Sequence, residues 1–125
     1  MKKKKLTVQE FSVLFSQAQE LFNKGEYERA KERLIRLASV NPNNPFTRNY
    51  LGLVQLAQGL ANEALINFVT AEEILPSICK DKKFLADNQL VFAVNIATCY
   101  GLLEDYKKAS EVLIHAVKKY FASRA

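Results

Sequence analysis

The residues of this chain that could make or break a bond are few and scattered. His115 is the only histidine, and Cys79 and Cys99 are the only cysteines. Nucleophilic catalysis needs a nucleophile, a base and an orienting acid brought together, and no Ser-His-Asp or Cys-His spacing suggests that here. A zinc site needs several convergent ligands, which one histidine and two distant thiols do not supply. With no CxxC pair and no secretory context, the thiols are expected to be reduced and partly buried. Glu72 and Glu73 are adjacent carboxylates, but neighbours on a helix point in different directions and read as a solvated face. Gly25, Gly52, Gly59 and Gly101 are too dispersed to cradle a phosphate. This inventory argues against an enzyme and implies no metal and no cofactor.

Charge narrows the partners. The formal net charge is +5, yet Lys2 to Lys5 supply four of the 18 basic residues. A nucleic-acid domain carries its basic excess on a folded face, whereas the rest of this chain balances 14 basic against 13 acidic groups. No nucleic-acid partner is expected. The lysine run reads as a solvated terminus, with a nuclear-localisation or anionic-membrane patch as the sharper alternative. Leu6-Thr7-Val8-Gln9-Glu10 is no signal-peptide h-region, and no apolar run nears the roughly 20 residues of a membrane helix. A cytoplasmic protein with no membrane insertion is expected.

Any binding surface must be positioned by helices. At 125 residues the chain suits one domain. Leu6 to Phe11 reads as a capping box, Thr7 with Glu10, inside a hydrophobic staple of Leu6 on Phe11. Phe11, Leu14, Phe15, Ala18, Leu21 and Phe22 then recur at helical spacing until Asn23-Lys24-Gly25. A second helix fits Glu26 to Val40, with Ala30, Leu34, Ile35, Leu37 and Ala38 on one face. Asn44-Pro45 opens a third helix, ending near Gln58-Gly59. A fourth covers Ala61 to Leu75 and stops before Pro76, a longer fifth spans Asp81 to Leu103, and a sixth Asp105 to Phe121. No alternating strand pattern appears, so the fold class is all-α.

A fixed period organises these helices. Ala18, Ala30, Leu34, Leu37 and Pro42 are spaced by 12, 4, 3 and 5 residues. Gly52, Ala64, Phe68, Ala71 and Pro76 repeat the pattern 34 residues on. Ala97, Ala109, Leu113, Ala116 and Phe121 repeat it again, after a further 34 and an 11-residue insertion. Small residues at the first two positions let antiparallel helices approach, and the third position fills the space beside them. With Leu51-Gly52, Tyr27, Tyr100 and Tyr106, this pattern resembles the tetratricopeptide repeat family. Gln17 and Gln55 stand where that family favours leucine and tyrosine. The resemblance implies a right-handed α-solenoid of three helix pairs, with repeats at about 11–44, 45–78 and 90–123 and an insertion at about 79–89. Lys80, Asp81, Lys82, Lys83 and Asp87 are expected to extend the fifth helix there as a projecting turn.

In that family the first helix of each pair lines a concave side. Carried onto this sequence, the lining is Ser12, Phe15, Gln19 and Phe22, then Phe46, Asn49, Tyr50, Leu53 and Leu56, then Val91, Val94, Asn95, Thr98 and Leu102. None is charged. Such a surface suits a mainly apolar protein or peptide segment, with Asn49 and Asn95 as candidate anchors for its backbone. A clamp for acidic C-termini is not expected, because Phe15, Gln19, Val91 and Asn95 are neutral and form no ion pair with a terminal carboxylate. The implied function is a non-enzymatic interaction module or adaptor. Alternatives are a chaperone like those of bacterial type III secretion translocators, or a structural subunit of a larger complex. Val117, Tyr120 and Phe121 on the last helix are expected to mediate dimerisation or docking.

Overall fold

The computed structural model describes residues 5–125. The reading of Lys2, Lys3 and Lys4 as a solvated tail lies outside the described residues, and Lys5 is exposed. Six helices follow in order: α1 (Val8–Asn23), α2 (Tyr27–Val40), α3 (Pro45–Ala57), α4 (Ala61–Ile78), α5 (Lys82–Leu102) and α6 (Tyr106–Ala122). No strand occurs among the described residues. The fold is all-α.

The helix ends follow from the capping chemistry. The Thr7 hydroxyl accepts from the Glu10 N–H at 3.0 Å, and the Glu10 carboxylate accepts from the Thr7 N–H at 3.1 Å. Both halves of the capping box are therefore made, which satisfies two otherwise orphaned donors. Asn44 accepts from the N–H groups of Phe46 and Thr47 ahead of Pro45. Asp81 and Asp105 do the same for Phe84 and Lys108. Gly25, at φ +78°, takes the left-handed turn after α1 that a side chain would resist.

Two expectations need correction. Ile35 is 49% exposed, while Ala30, Leu34, Leu37 and Ala38 are buried. It follows Leu34 directly, so the helical turn of about 100° carries it off the core face. Pro76 does not stop α4, which continues to Ile78. In the last turn, proline removes only the bond that its N–H would have given to the Glu72 carbonyl. The Cys79 N–H still donates to the Leu75 carbonyl at 3.0 Å, so the turn beyond it survives.

Each helix packs on the next in chain order, and α3 also touches α1 and α5. Among the described residues, α2, α4 and α6 make no such contact with one another. Ala18, Ala30, Leu34, Ala64, Phe68 and Ala71 are wholly buried, and Ala97 and Ala116 nearly so. In the last pair, Ala109 and Leu113 are only half-buried, and among the described residues α6 packs on α5 alone. The crossing of α3 on α4 is close. A Cβ on Gly52 would stand 2.5, 2.7 and 2.9 Å from three atoms of the Phe68 ring. Glycine is the residue that lets the ring in.

The unusual glutamines have partners. Gln55 and Asn67 are both buried and joined by a 2.6 Å hydrogen bond from Asn67 Nδ2 to Gln55 Oε1, which ties α3 to α4. Gln17 is exposed and accepts from Arg33 at 3.0 Å, joining α1 to α2. The segment 79–89 is more than a projecting turn. Cys79 and Ala86 are buried, and Leu85 packs on the cluster of Ala71, Leu75 and Phe92. Its outward side carries Phe84, which is 54% exposed.

Candidate functional site

α3 touches both α1 and α5, so the three helices expected to carry the lining residues adjoin one another in turn. The α1 and α3 part is already occupied by the chain's own rings. Phe15 and Phe22 each meet Tyr50 edge-on, at ring-centroid distances of 5.5 and 5.6 Å. These geometries let a positive ring edge meet a negative face. Phe22 also packs beside Tyr27, and all four rings lie half-buried on the core of Ala18, Leu21 and Val54. Leu53 and Leu56 are likewise half-buried against the Phe68 cluster. Gln19 is half-buried and Ser12 exposed. This half is an aromatic floor, with only its outer surface presented.

The α5 part is open. Val91 is 53%, Val94 48% and Leu102 62% exposed, and Thr98 is exposed with its hydroxyl donating back to the Val94 carbonyl. Between the halves, Asn95 Nδ2 donates to Asn49 Oδ1 at 2.9 Å. The two asparagines expected to grip a partner's backbone therefore hold each other. Asn49 is buried, and Asn95 keeps its own side-chain oxygen on a half-buried position. Phe46 packs edge-on against Phe92 at 6.1 Å and completes the junction of α3 and α5.

The last helix presents a second apolar surface. Phe121 is 65% and Val117 39% exposed, whereas Tyr120 is half-buried beneath the Arg124 guanidinium, 3.8 Å from its ring centroid. Arg124 also pairs with Asp87, which fastens the chain end to the start of α5. Sequence reasoning missed Ile114, which is exposed on the same face. The spacing of Ile114, Val117 and Phe121 by three and four residues was the signal that could have found it.

The groups with reactive potential lie elsewhere. Cys79 and Cys99 are free and buried, and burial pushes the Cys99 thiol up to about 11, away from thiolate chemistry. Exposed His115 faces a cavity of about 260 Å³ between α4, α5 and α6, which it shares with Glu72 and Lys119. Burial raises the Glu72 carboxyl above its ordinary value, against the opposing pull of Lys119 and His115. No helix among the described residues is long and apolar enough to cross a membrane. Compared with known proteins, the chain matches no protein-family model and no curated protein.

Proposed function

We propose that this chain is a three-unit tetratricopeptide-type solenoid acting as a non-enzymatic interaction module, which holds a protein segment on the face shared by α1, α3 and α5. The observation that carries the reading is the contact pattern. Among the described residues α3 touches α1 and α5, while no even helix touches another, as expected where the odd helices line the inner side of a curved stack. The repeated small residues support it, since Ala18 with Ala30 and Gly52 with Ala64 are buried at corresponding crossings. The shared face bears no charged residue among its proposed contacts, so it suits an apolar segment with a few polar groups. In the cytoplasm such a module serves as an adaptor or as a chaperone for an export substrate.

The test is capture of the natural partner from the native cell, followed by titration against purified variants. Val94→Glu with Thr98→Glu puts charge on exposed positions and should abolish binding while leaving the melting temperature unchanged. Binding should depend only weakly on salt, unlike a charge clamp or a nucleic-acid site. Retained binding in that variant, with loss on removing Lys2 to Lys5, moves the site to the terminus and overturns the reading.

A second reading, a structural subunit docked through α6, is favoured by the exposure of Ile114, Val117 and Phe121. Sedimentation at several concentrations tests its self-association form. A monomer at all concentrations that binds its partner equally well after Phe121→Glu removes both forms.

A further inference from the structure

Connections of three or four residues join the six helices in turn, which sets each antiparallel to the next. The start of α1, the α2–α3 turn, the α4–α5 turn and the end of α6 therefore gather at one end of the molecule. Val8 shares a cleft with Val40 and Asn44 there, and Arg124 pairs with Asp87. Charge is not evenly divided between the two ends. Split at the helix midpoints, this end carries nine basic against five acidic side chains among the described residues, and the other six against eight. The near balance of the folded chain hides a basic pole.

Apolar groups share that pole. In the segment 78–84, exposed Ile78 and Phe84 bracket Lys80, Lys82 and Lys83, which are exposed as well. The nearby acids are engaged, Asp81 accepting from the Phe84 N–H at 2.8 Å and Asp87 pairing with Arg124. Lys82, Lys83 and exposed Lys118 form no ion pair among the described residues. Val8 and Phe121 add exposed apolar tips on α1 and α6.

We propose that this pole docks on an anionic lipid surface, its lysines at the headgroups and Ile78 and Phe84 reaching the acyl-chain boundary. The protein lies on that surface without crossing it. Attraction of lysines to anionic headgroups brings the pole in and the apolar tips hold it, the two signals that lasting attachment needs. The arrangement disfavours a protein segment as the occupant. Val8 and Phe121 sit on helices that do not touch, so no one groove gathers tips that a plane meets together. The side chains disfavour nucleic acid, since bases stack on rings whereas Val8 and Ile78 are aliphatic. Charge also selects the end. Leu103 and Tyr106 are exposed at the opposite pole, but the acidic excess there is repelled by the same lipids. The inference is independent of the reading of the shared face.

The probes are vesicles of phosphatidylserine and phosphatidylcholine in equal parts, and vesicles of phosphatidylcholine alone. Co-sedimentation of the full chain should show binding to the first and none to the second, weakening as salt is added. Lys82→Glu with Lys83→Glu should reduce that binding about a hundredfold or more, since each lysine near such a surface contributes roughly fivefold. Acidic residues in the first turn of α5 suit its dipole, so this variant keeps its fold, which a thermal melt verifies. Ile78→Ser with Phe84→Ser should weaken binding about tenfold, a step of one decade in Kd. Lys107→Glu with Lys108→Glu, at the opposite pole, should leave it unchanged. Equal loss in the two lysine pairs reports net charge alone and overturns the proposal, as does binding to neither vesicle. Binding lost on removing Lys2 to Lys5 but kept in Lys82→Glu with Lys83→Glu belongs to the terminus and also overturns it. Tighter binding of an oligothymidylate, insensitive to Ile78→Ser with Phe84→Ser, assigns the pole to nucleic acid instead.

Discussion

The α1–α3 half and the α5 half of the shared face are built from similar residues and end in opposite states. Phe15, Phe22 and Tyr50 close on one another and become an aromatic floor. Phe84, Val91 and Leu102 have no ring opposite them and stay exposed. Apolar spacing fixes which side of a helix faces inward; a neighbour within reach decides whether that side is core or surface. The α1 rings meet Tyr50 because α3 lies beside them, while on α5 the ring that finds a partner on α3 is Phe92, against Phe46, on the buried side.

The sharpest way to break this contrast is to strike the crossing that holds α3 in place. Gly52→Leu should unfold the protein or cost about 3 kcal/mol or more, because the new side chain has no route past the Phe68 ring. A calorimetric melt unchanged by this substitution removes the assigned packing. Next in size, Tyr50→Ala should cost about 2 kcal/mol, since it strips the shared partner of two half-buried rings. Urea titration measures it, and a cost near zero means that the floor is a surface after all.

A smaller effect of opposite sign comes from outside both halves. Glu72→Gln should raise the melting temperature slightly at neutral pH, because the raised carboxyl of Glu72 costs the fold something when ionised. The folded state holds that proton more tightly than the unfolded state. The penalty is therefore present above the folded value and fades as pH falls through the acid range. Melts across pH should show wild type and variant converging on acidification. The smallest effect belongs to the open half. Val91→Ser should leave stability within about 0.5 kcal/mol, as for an ordinary surface change. A larger loss places Val91 in the core and erases the contrast.

Local signals were legible in the sequence, and distant ones were not. Thr7 with Glu10 and Asn44 with Pro45 act within four residues of chain, so they revealed their helix ends. Pro76 misled because its effect depends on position: it breaks a helix interior but is tolerated in a last turn. The candidate face was readable as a set of apolar positions. Its division into an aromatic floor and an exposed α5 side was not, because Phe15 lies 35 residues from the Tyr50 ring that covers it. Likewise nothing near Asn49 announces that its side-chain oxygen is claimed by Asn95, 46 residues away.

That last bond bears on how the molecule comes apart. Arg33 with Gln17 and Asn67 with Gln55 join successive helices, whereas Asn95 with Asn49 skips α4. A stack held only by successive contacts can fray from its end, with α5 and α6 exchanging their amide hydrogens while the rest stays shut. The skipping bond makes opening of α5 felt directly by α3. Together with the Phe46–Phe92 contact, which skips α4 in the same way, it favours unfolding of the molecule as one cooperative unit over unfolding in pieces.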